Sequence, residues 1–416
     1  MTNAIRRLHT DVAERPFIVI WEVTRACALA CTHCRADAMP CRDSRELSTE
    51  QGFALLDDLA AYGPPRPMVV LTGGDPFERD DLVDLVAHGT AAGLHVSLSP
   101  SVTPRLALEP LVALRSAGAH VVSLSLDGAS ADTHDAFRGI AGTFDATIAA
   151  AATVGDAGLR LQLNTTVTAG NVAELPDLLD LVVALEPTLW SVFFLVPTGR
   201  GRQLGALTAG EVEQVMWWLH EVSTTVPIKT TEAPQYRRVA LQRAADPTGA
   251  GPPGALLEDL RRRTTAATGA QTYRSRQPAG PAGPPSASGP SRSGGPPGRA
   301  RPPLDVNAGR GFAFIDHVGT VQPSGFLPIP VGSVVEQPFS TIYREAPLLR
   351  ALRDPNALRG RCGRCEFRAV CGGSRSHAFA VSGDPLGEDP GCSYDPPPSD
   401  RAVPALTVPI SEPDRP

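Results

Sequence analysis

Phe17-Ile-Val-Ile-Trp-Glu-Val-Thr24 runs straight into Arg25-Ala-Cys27-Ala-Leu-Ala-Cys31-Thr-His-Cys34. The first half is a short apolar run rich in β-branched residues, the pattern of a buried strand. The second half sets three thiols at Cys-x3-Cys-x2-Cys spacing just beyond it. Three thiolates at this spacing can hold three irons of a 4Fe–4S cluster. No fourth cysteine lies in the local run, and Cys41 fits no ligand spacing. The fourth iron is then open to a substrate-like ligand, which makes a cluster a reagent as well as an electron carrier.

Outward from this stretch, apolar runs at 17–24, 68–72, 95–99, 121–126, 159–167 and 189–196 alternate with amphipathic ones. The helix-like stretches are 49–62, 80–92, 105–117, 143–157, 172–185 and 208–225. Such β-α repetition predicts an α/β fold with a parallel sheet. Gly93, Gly118 and Gly158 stand where helices would end. Six units are too few for a closed eight-stranded barrel, so a partial barrel and a doubly wound sheet both satisfy the pattern. In either, reactive groups gather beyond the C-terminal strand ends. Thr72-Gly73-Gly74-Asp75-Pro76, Ser125-Leu-Asp127-Gly128, Asn164-Thr-Thr166 and Pro197-Thr-Gly-Arg200 fall there with the cysteine run.

Composition bounds the function. The chain has 416 residues, 42% hydrophobic and 20% charged, which suits a globular protein with a full core. A net charge of −6 and 5% aromatics argue against a nucleic-acid partner. No apolar run reaches the length of a membrane span and the N-terminus lacks an apolar signal core, so no membrane partner and a cytoplasmic location are expected. Eight cysteines without an export signal point to metal or redox chemistry. They form two groups, Cys27 to Cys41 and Cys362, Cys365, Cys371 and Cys392. The expected organisation is an N-terminal segment over 1–16, a β/α unit over 17–235, and a Pro/Gly/Ser/Arg-rich disordered linker over 244–303. A compact cysteine-bearing unit with a β-hairpin at Phe312–Ile315 and Val318–Val321 covers 304–395, and a loose tail 396–416.

The cysteine run, Gly73-Gly74-Asp75-Pro76, Ser125-Leu-Asp127-Gly128 and the distal cysteines together resemble radical SAM enzymes with a C-terminal SPASM-type auxiliary-cluster domain. The resemblance implies a partial (β/α)6 TIM-like barrel followed by a small, loop-rich Fe–S domain with a β-hairpin. It implies that Cys27, Cys31 and Cys34 ligate a 4Fe–4S cluster with an open iron site and that S-adenosyl-L-methionine chelates that iron. One electron, from a reducing donor such as flavodoxin or ferredoxin, then yields a 5′-deoxyadenosyl radical that takes hydrogen from substrate. Gly73 and Gly74 would let backbone approach the methionyl amino group. Asp75 stands where many relatives have Glu. Ser125 and Asp127 would lie on the ribose side, and Arg138 would pair with the methionyl carboxylate.

The full SPASM pattern ligates two auxiliary clusters. Here Gly319-x4 leads to Ser324, and Ser374 follows Cys371 where a further thiol is expected. Serine is a poor iron ligand beside a thiolate, so one auxiliary 4Fe–4S cluster is expected, on Cys362, Cys365, Cys371 and Cys392. A four-cysteine zinc site satisfies the same residues. Trp21–Cys27, Cys31–Asp37, Asn164–Thr168 and Phe194–Arg200 look most like the haem b and haem d1 branch of the family. That implies oxidative change at a tetrapyrrole propionate, with Arg200 and Arg202 as candidate carboxylate partners. The alternatives are maturation of a ribosomally made peptide and a non-catalytic Fe–S scaffold or redox sensor. Met1–Arg15 is too short for a peptide-binding module, which weighs against the first.

Overall fold

The first apolar run forms strand β1, Ile18–Thr24, in a computed structural model that describes Ile5, residues 10–268 and residues 304–397. Val19, Trp21 and Val23 are fully buried, and Trp21 packs on Gly52 of the helix Thr49–Ala60. That helix starts at a capping box of Ser48 and Gln51 and buries Leu55, Leu56 and Leu59. The other expected strands follow as β2 (Met68–Gly73), β3 (His95–Leu98), β4 (Val121–Ser125), β5 (Arg160–Val167) and β6 (Leu189–Phe194). Each pairs in parallel with its neighbour in sequence, with a helix between. The sheet is that of a partial barrel, and all reactive strand ends share one rim.

Several elements go beyond the six-unit reading, among them the helix Tyr236–Ala245. A seventh parallel strand, β7 (Ile228–Thr231), pairs with β6. Its sequence, Ile-Lys-Thr-Thr, has no apolar run to reveal it. The helix Ala131–Arg138 follows β4, capped by Ser130 and ended by Gly139 in the left-handed region. The helix Ala255–Thr268 lies inside the stretch expected to be a disordered linker. Leu257 and Leu260 are buried there, Arg261 pairs with Glu221, Arg263 with Asp177, and Trp218 Nε1 donates to Thr264 Oγ1 at 2.9 Å. The Pro/Gly-rich remainder, 269–303, and the tail from 398 lie outside the described residues.

The C-terminal unit opens with β8 (Asn307–Ala308) and β9 (Gly311–Ile315), then β10 (Thr320–Gln322) and β11 (Gly332–Ser333). β9 and β10 form the expected antiparallel hairpin. β9 also pairs in parallel with β1, from Ile18↔Phe312 to Trp21↔Ile315. The sheet order is β11-β10-β9-β1-β2-β3-β4-β5-β6-β7, with β8 beside β9. Ala308, Leu327, Leu348, Leu352, Leu358 and Leu386 form a small separate core, whereas Ile315, Ile342 and Leu349 join the main one. Among the described residues no helix is long and apolar enough to cross a membrane.

Candidate active site and metal centres

The loop from Ala26 to Arg35 is gripped from three strand ends. At the β2 end, Gly74 N donates to Thr24 O at 2.9 Å and Asp75 N to Ala26 O at 2.7 Å. A Cβ on Gly73 (φ +152°) would sit 2.2 Å from Thr24 O, and one on Gly74 2.3 Å from Ala26 O. Only glycine allows this approach. At the β4 end, Thr32 N donates to Phe137 O at 2.9 Å, while the Phe137 and His33 rings lie tilted with centroids 4.4 Å apart. At the β6 end, Arg200 Nε donates to Cys31 O at 2.9 Å and Arg200 N to Cys34 O at 3.1 Å. Arg200 is therefore part of the grip on the loop. Arg202 is exposed.

Cys27 and Cys31 are buried and Cys34 is half-buried, all as free thiols. Burial pushes the Cys27 thiol up, although Ser101 Oγ lies 3.3 Å from its sulfur. Ser101 also donates to Gly74 O at 2.8 Å, so it ties β2 to the cysteine. Arg138 Nη1 donates to Cys31 Sγ at 3.7 Å and its other arm pairs with Asp127. Burial would raise the Asp127 carboxyl, but Arg138 and then His33 hold it below the usual carboxylate range. Asp127 also accepts Thr166 N at 2.7 Å. Its own N–H donates to His134 Nδ1 at 3.1 Å, and burial keeps His134 neutral by lowering it to about 4. Asn171 Nδ2 donates to Asp127 O and Thr166 O, both at 2.8 Å.

Two predicted site residues are placed differently from one another. Ser125 ends β4 half-buried, opposite Asn164 of β5. Asp75 is fully buried, its carboxylate accepting Phe77 N at 3.2 Å and Thr103 Oγ1 at 2.8 Å. Both its oxygens are engaged by the protein, and burial raises its pKa.

The four distal cysteines line one pocket with Arg238, Arg361, Phe367, Arg368 and Tyr394. Burial pushes Cys371 up to about 12 and Cys392 to about 11. Among the described residues no three His, Cys, Asp or Glu side chains are gathered to hold a single metal ion. Backbone N–H groups point at the sulfurs, Asp389 N at Cys362 Sγ (3.4 Å) and Gly373 N at Cys371 Sγ (3.5 Å). The serines at the missing ligand positions face elsewhere. Ser324 Oγ donates to Glu232 Oε1 at 3.2 Å and Ser374 Oγ to Glu232 Oε2 at 2.7 Å. Glu232 follows β7 with φ +59°, a strained value for a side-chain-bearing residue, and burial raises its pKa.

Residues 21–182 match the Radical SAM superfamily. The chain is 36% identical to an AdoMet-dependent heme synthase of Oleidesulfovibrio alaskensis, over 91% of this chain and 87% of that protein. The chain belongs to the radical SAM superfamily. An AdoMet-dependent heme synthase of Methanosarcina barkeri is 34% identical over 92% and 97% of the two chains. Mycofactocin maturase MftC of Mycobacterium tuberculosis is 30% identical over 94% and 87%. Among solved structures, Streptococcus suis SuiB bound to S-adenosylmethionine shares the fold, with TM-score 0.61 at 13% identity over 92% of this chain and 78% of that one.

A radical SAM enzyme carries a 4Fe–4S cluster and S-adenosylmethionine. The residues present fit both. Three free thiols lie on one backbone-clamped loop, the Asp127-paired Arg138 donates to Cys31 Sγ, and a half-buried strand-end surface lies beside them.

Ser101, Thr103, Asn171 and Glu232 escaped the sequence reading. The end of β3 bears Ser99-Pro-Ser101, a polar strand end like the others. Asn171 and Glu232 carry no motif. They matter through contacts more than 40 residues away along the chain, such as Asn171 with Asp127 (44 residues) and Glu232 with Ser324 (92 residues).

Proposed function

We propose that this radical SAM enzyme oxidatively removes a propionate carboxyl from a tetrapyrrole, in a haem-forming reaction. The observation that carries this reading is similarity to AdoMet-dependent heme synthases at 34–36% identity across nearly the whole of each chain. Cys27, Cys31 and Cys34 hold the first cluster, which with S-adenosylmethionine supplies the hydrogen-abstracting radical. Gly73 and Gly74 present backbone, in place of side chains, to the methionyl amino group. Asp75 serves by shaping that turn. Arg138 pairs with the methionyl carboxylate, Ser125 faces the ribose, and Asp127 orients Arg138.

Cys362, Cys365, Cys371 and Cys392 hold one auxiliary 4Fe–4S cluster, which supplies an electron sink. The Glu232 carboxylate bridging Ser324 and Ser374 supports a single auxiliary cluster, because it engages both hydroxyls that stand in for missing thiols. A propionate-bearing substrate needs a cation at the barrel rim. Arg35 meets this need. Its guanidinium lies 4.5 Å over Phe314 and 6.0 Å from Phe326, which in turn lies 6.4 Å from Phe193 of β6. One Arg35 nitrogen pairs with Glu22 at 2.8 Å. Aromatic faces beside a guanidinium suit a flat, acidic macrocycle. The free thiols fit a reducing, cytoplasmic setting with a small electron-donor protein such as flavodoxin or ferredoxin as partner.

The test is anaerobic reconstitution, then incubation with dithionite, S-adenosylmethionine and iron-coproporphyrin III under mass analysis. About eight irons per chain, 5′-deoxyadenosine and a porphyrin lighter by the mass of carbon dioxide and two hydrogen atoms for each propionate converted are expected. Unchanged porphyrin together with modification of a candidate peptide would turn the assignment to peptide maturation, the activity class named for MftC.

A further inference from the structure

Arg375 is 1% exposed and is the first residue of the helix Arg375–Ser382. Both placements are unfavourable for a cation. A buried charge needs a counter-charge. The first turn of a helix presents unpaired N–H groups and repels positive charge. Yet Arg375 bonds no carboxylate. Its Nε donates to Gly373 O at 3.1 Å, and its Nη1 to Pro385 O at 3.2 Å and Gly387 O at 2.7 Å. Its Nη2 donates to Cys362 Sγ at 3.5 Å. Of the other guanidinium groups near the distal thiols, Arg238 pairs with Glu213, Arg361 with Glu388, and Arg237 shares Asp305 with Arg310. Arg368, only half-buried, donates to Cys365 O at 3.2 Å, so Arg375 is the fully buried guanidinium there that bonds no carboxylate. Asp389 lies close by, but its carboxylate accepts Ser374 N (2.6 Å), Gln235 Nε2 (2.5 Å) and Gly391 N (2.9 Å), and faces His377 Nδ1 at 3.2 Å.

We infer that Arg375 is the fixed counter-charge of the group held by Cys362, Cys365, Cys371 and Cys392, and that it raises that group's affinity for an electron. This rests on the proposed auxiliary cluster. A 4Fe–4S group on four thiolates is an anion, and each added electron makes it more negative. A guanidinium that donates to a cluster sulfur and bonds no carboxylate stabilises the reduced state more than the oxidised one. The first site is the built-in contrast. Arg138 also donates to a cysteine sulfur, but Asp127 neutralises it. The auxiliary group is thereby the better electron acceptor of the two, as an oxidative reaction requires. Arg375 acts through the cluster and is a positioning residue. The competing account is a strut that ties three loop carbonyls together.

Spectroscopic redox titration of the full-length, two-cluster enzyme separates these accounts. R375M should move the auxiliary midpoint to lower potential by about tenfold in the reduction equilibrium, which is about 59 mV for one electron. The first cluster should keep its midpoint. R375K, which restores the charge but not the fork, should recover most of the shift. R375M with full iron and an unmoved auxiliary midpoint overturns the inference. Where R375M fails to load the second site, R375K decides. Regained iron supports the counter-charge, and the same failure in R375K leaves only the strut and overturns it. Zinc or no metal at the second site of the wild type removes the auxiliary cluster itself, and this inference with it. That result is distinct from an unmoved potential in a fully loaded variant.

Discussion

Cys27, Cys31 and Cys34 sit on a loop clamped largely by backbone hydrogen bonds, with Ser101 Oγ and Leu29 N at the sulfur of Cys27 and Arg138 Nη1 at that of Cys31. Cys362, Cys365, Cys371 and Cys392 instead ring a cavity walled by arginines and by N–H groups aimed at sulfur. The first arrangement fixes where the thiols stand, and the second surrounds its thiols with arginines. The site proposed to admit a small molecule and the one proposed to pass electrons thus differ in what surrounds the sulfurs, as well as in three thiols against four.

The largest effect should come from breaking the open site. C31A is expected to abolish 5′-deoxyadenosine formation and leave about four irons per chain, measured by chromatography and iron analysis. If C31A still cleaves S-adenosylmethionine, the open site is not where cleavage occurs. Breaking the closed site should have a different signature. C371A is expected to keep 5′-deoxyadenosine formation while product falls at least tenfold. Equal loss of both would show that the two sites are not separable.

Next comes the clamp. G74A places a methyl 2.3 Å from Ala26 O, a backbone clash of the kind that costs roughly 2–4 kcal/mol. Iron should be lost from the first site and retained at the second, as followed by spectroscopy. R35M should weaken iron-coproporphyrin binding about tenfold, the order of one charge-assisted hydrogen bond, in an absorbance titration. Full affinity in R35M would leave the aromatic row without its cation.

The smallest effect concerns Glu232. An acid whose folded pKa is raised above its unfolded value stabilises the fold when protonated. That stability is lost as pH rises from the unfolded value, near about 4.3, through the folded one. E232Q keeps the serine hydrogen bonds and removes the titration. Its melting temperature should change less between pH 4.5 and pH 8 than that of the wild type, and an identical slope would exclude Glu232 as the titrating group.

Period and spacing revealed the first six strands, their helices, the hairpin and both cysteine groups, because burial and metal ligation impose local patterns. β7 escaped because Lys229, Thr230 and Thr231 carry no apolar signal. The helix at Ala255–Thr268 escaped because its charged run, Arg261–Arg263, resembles the Pro/Gly/Ser/Arg-rich sequence after it. At the site, the glycines and cysteines were legible from motif alone. What Asp75 and Asp127 bond to was not, since Thr103, Arg138 and Thr166 reach them only through the fold. The Glu232 bridge was illegible for the same reason, although the two serines it joins had already marked the place.

The parallel pairing of β9 with β1 has a consequence in time. The chain grows from its N-terminus, so the outer edge of β1 stays unpaired until Gly311 has been made. At typical synthesis rates that is roughly 15–60 s. Throughout that interval the strand leading into Cys27 offers an open edge to other chains. Newly made protein is therefore most exposed to aggregation before its C-terminal quarter emerges. A truncation before β9 should aggregate through β1 even though the seven parallel strands and the first cysteine loop are complete.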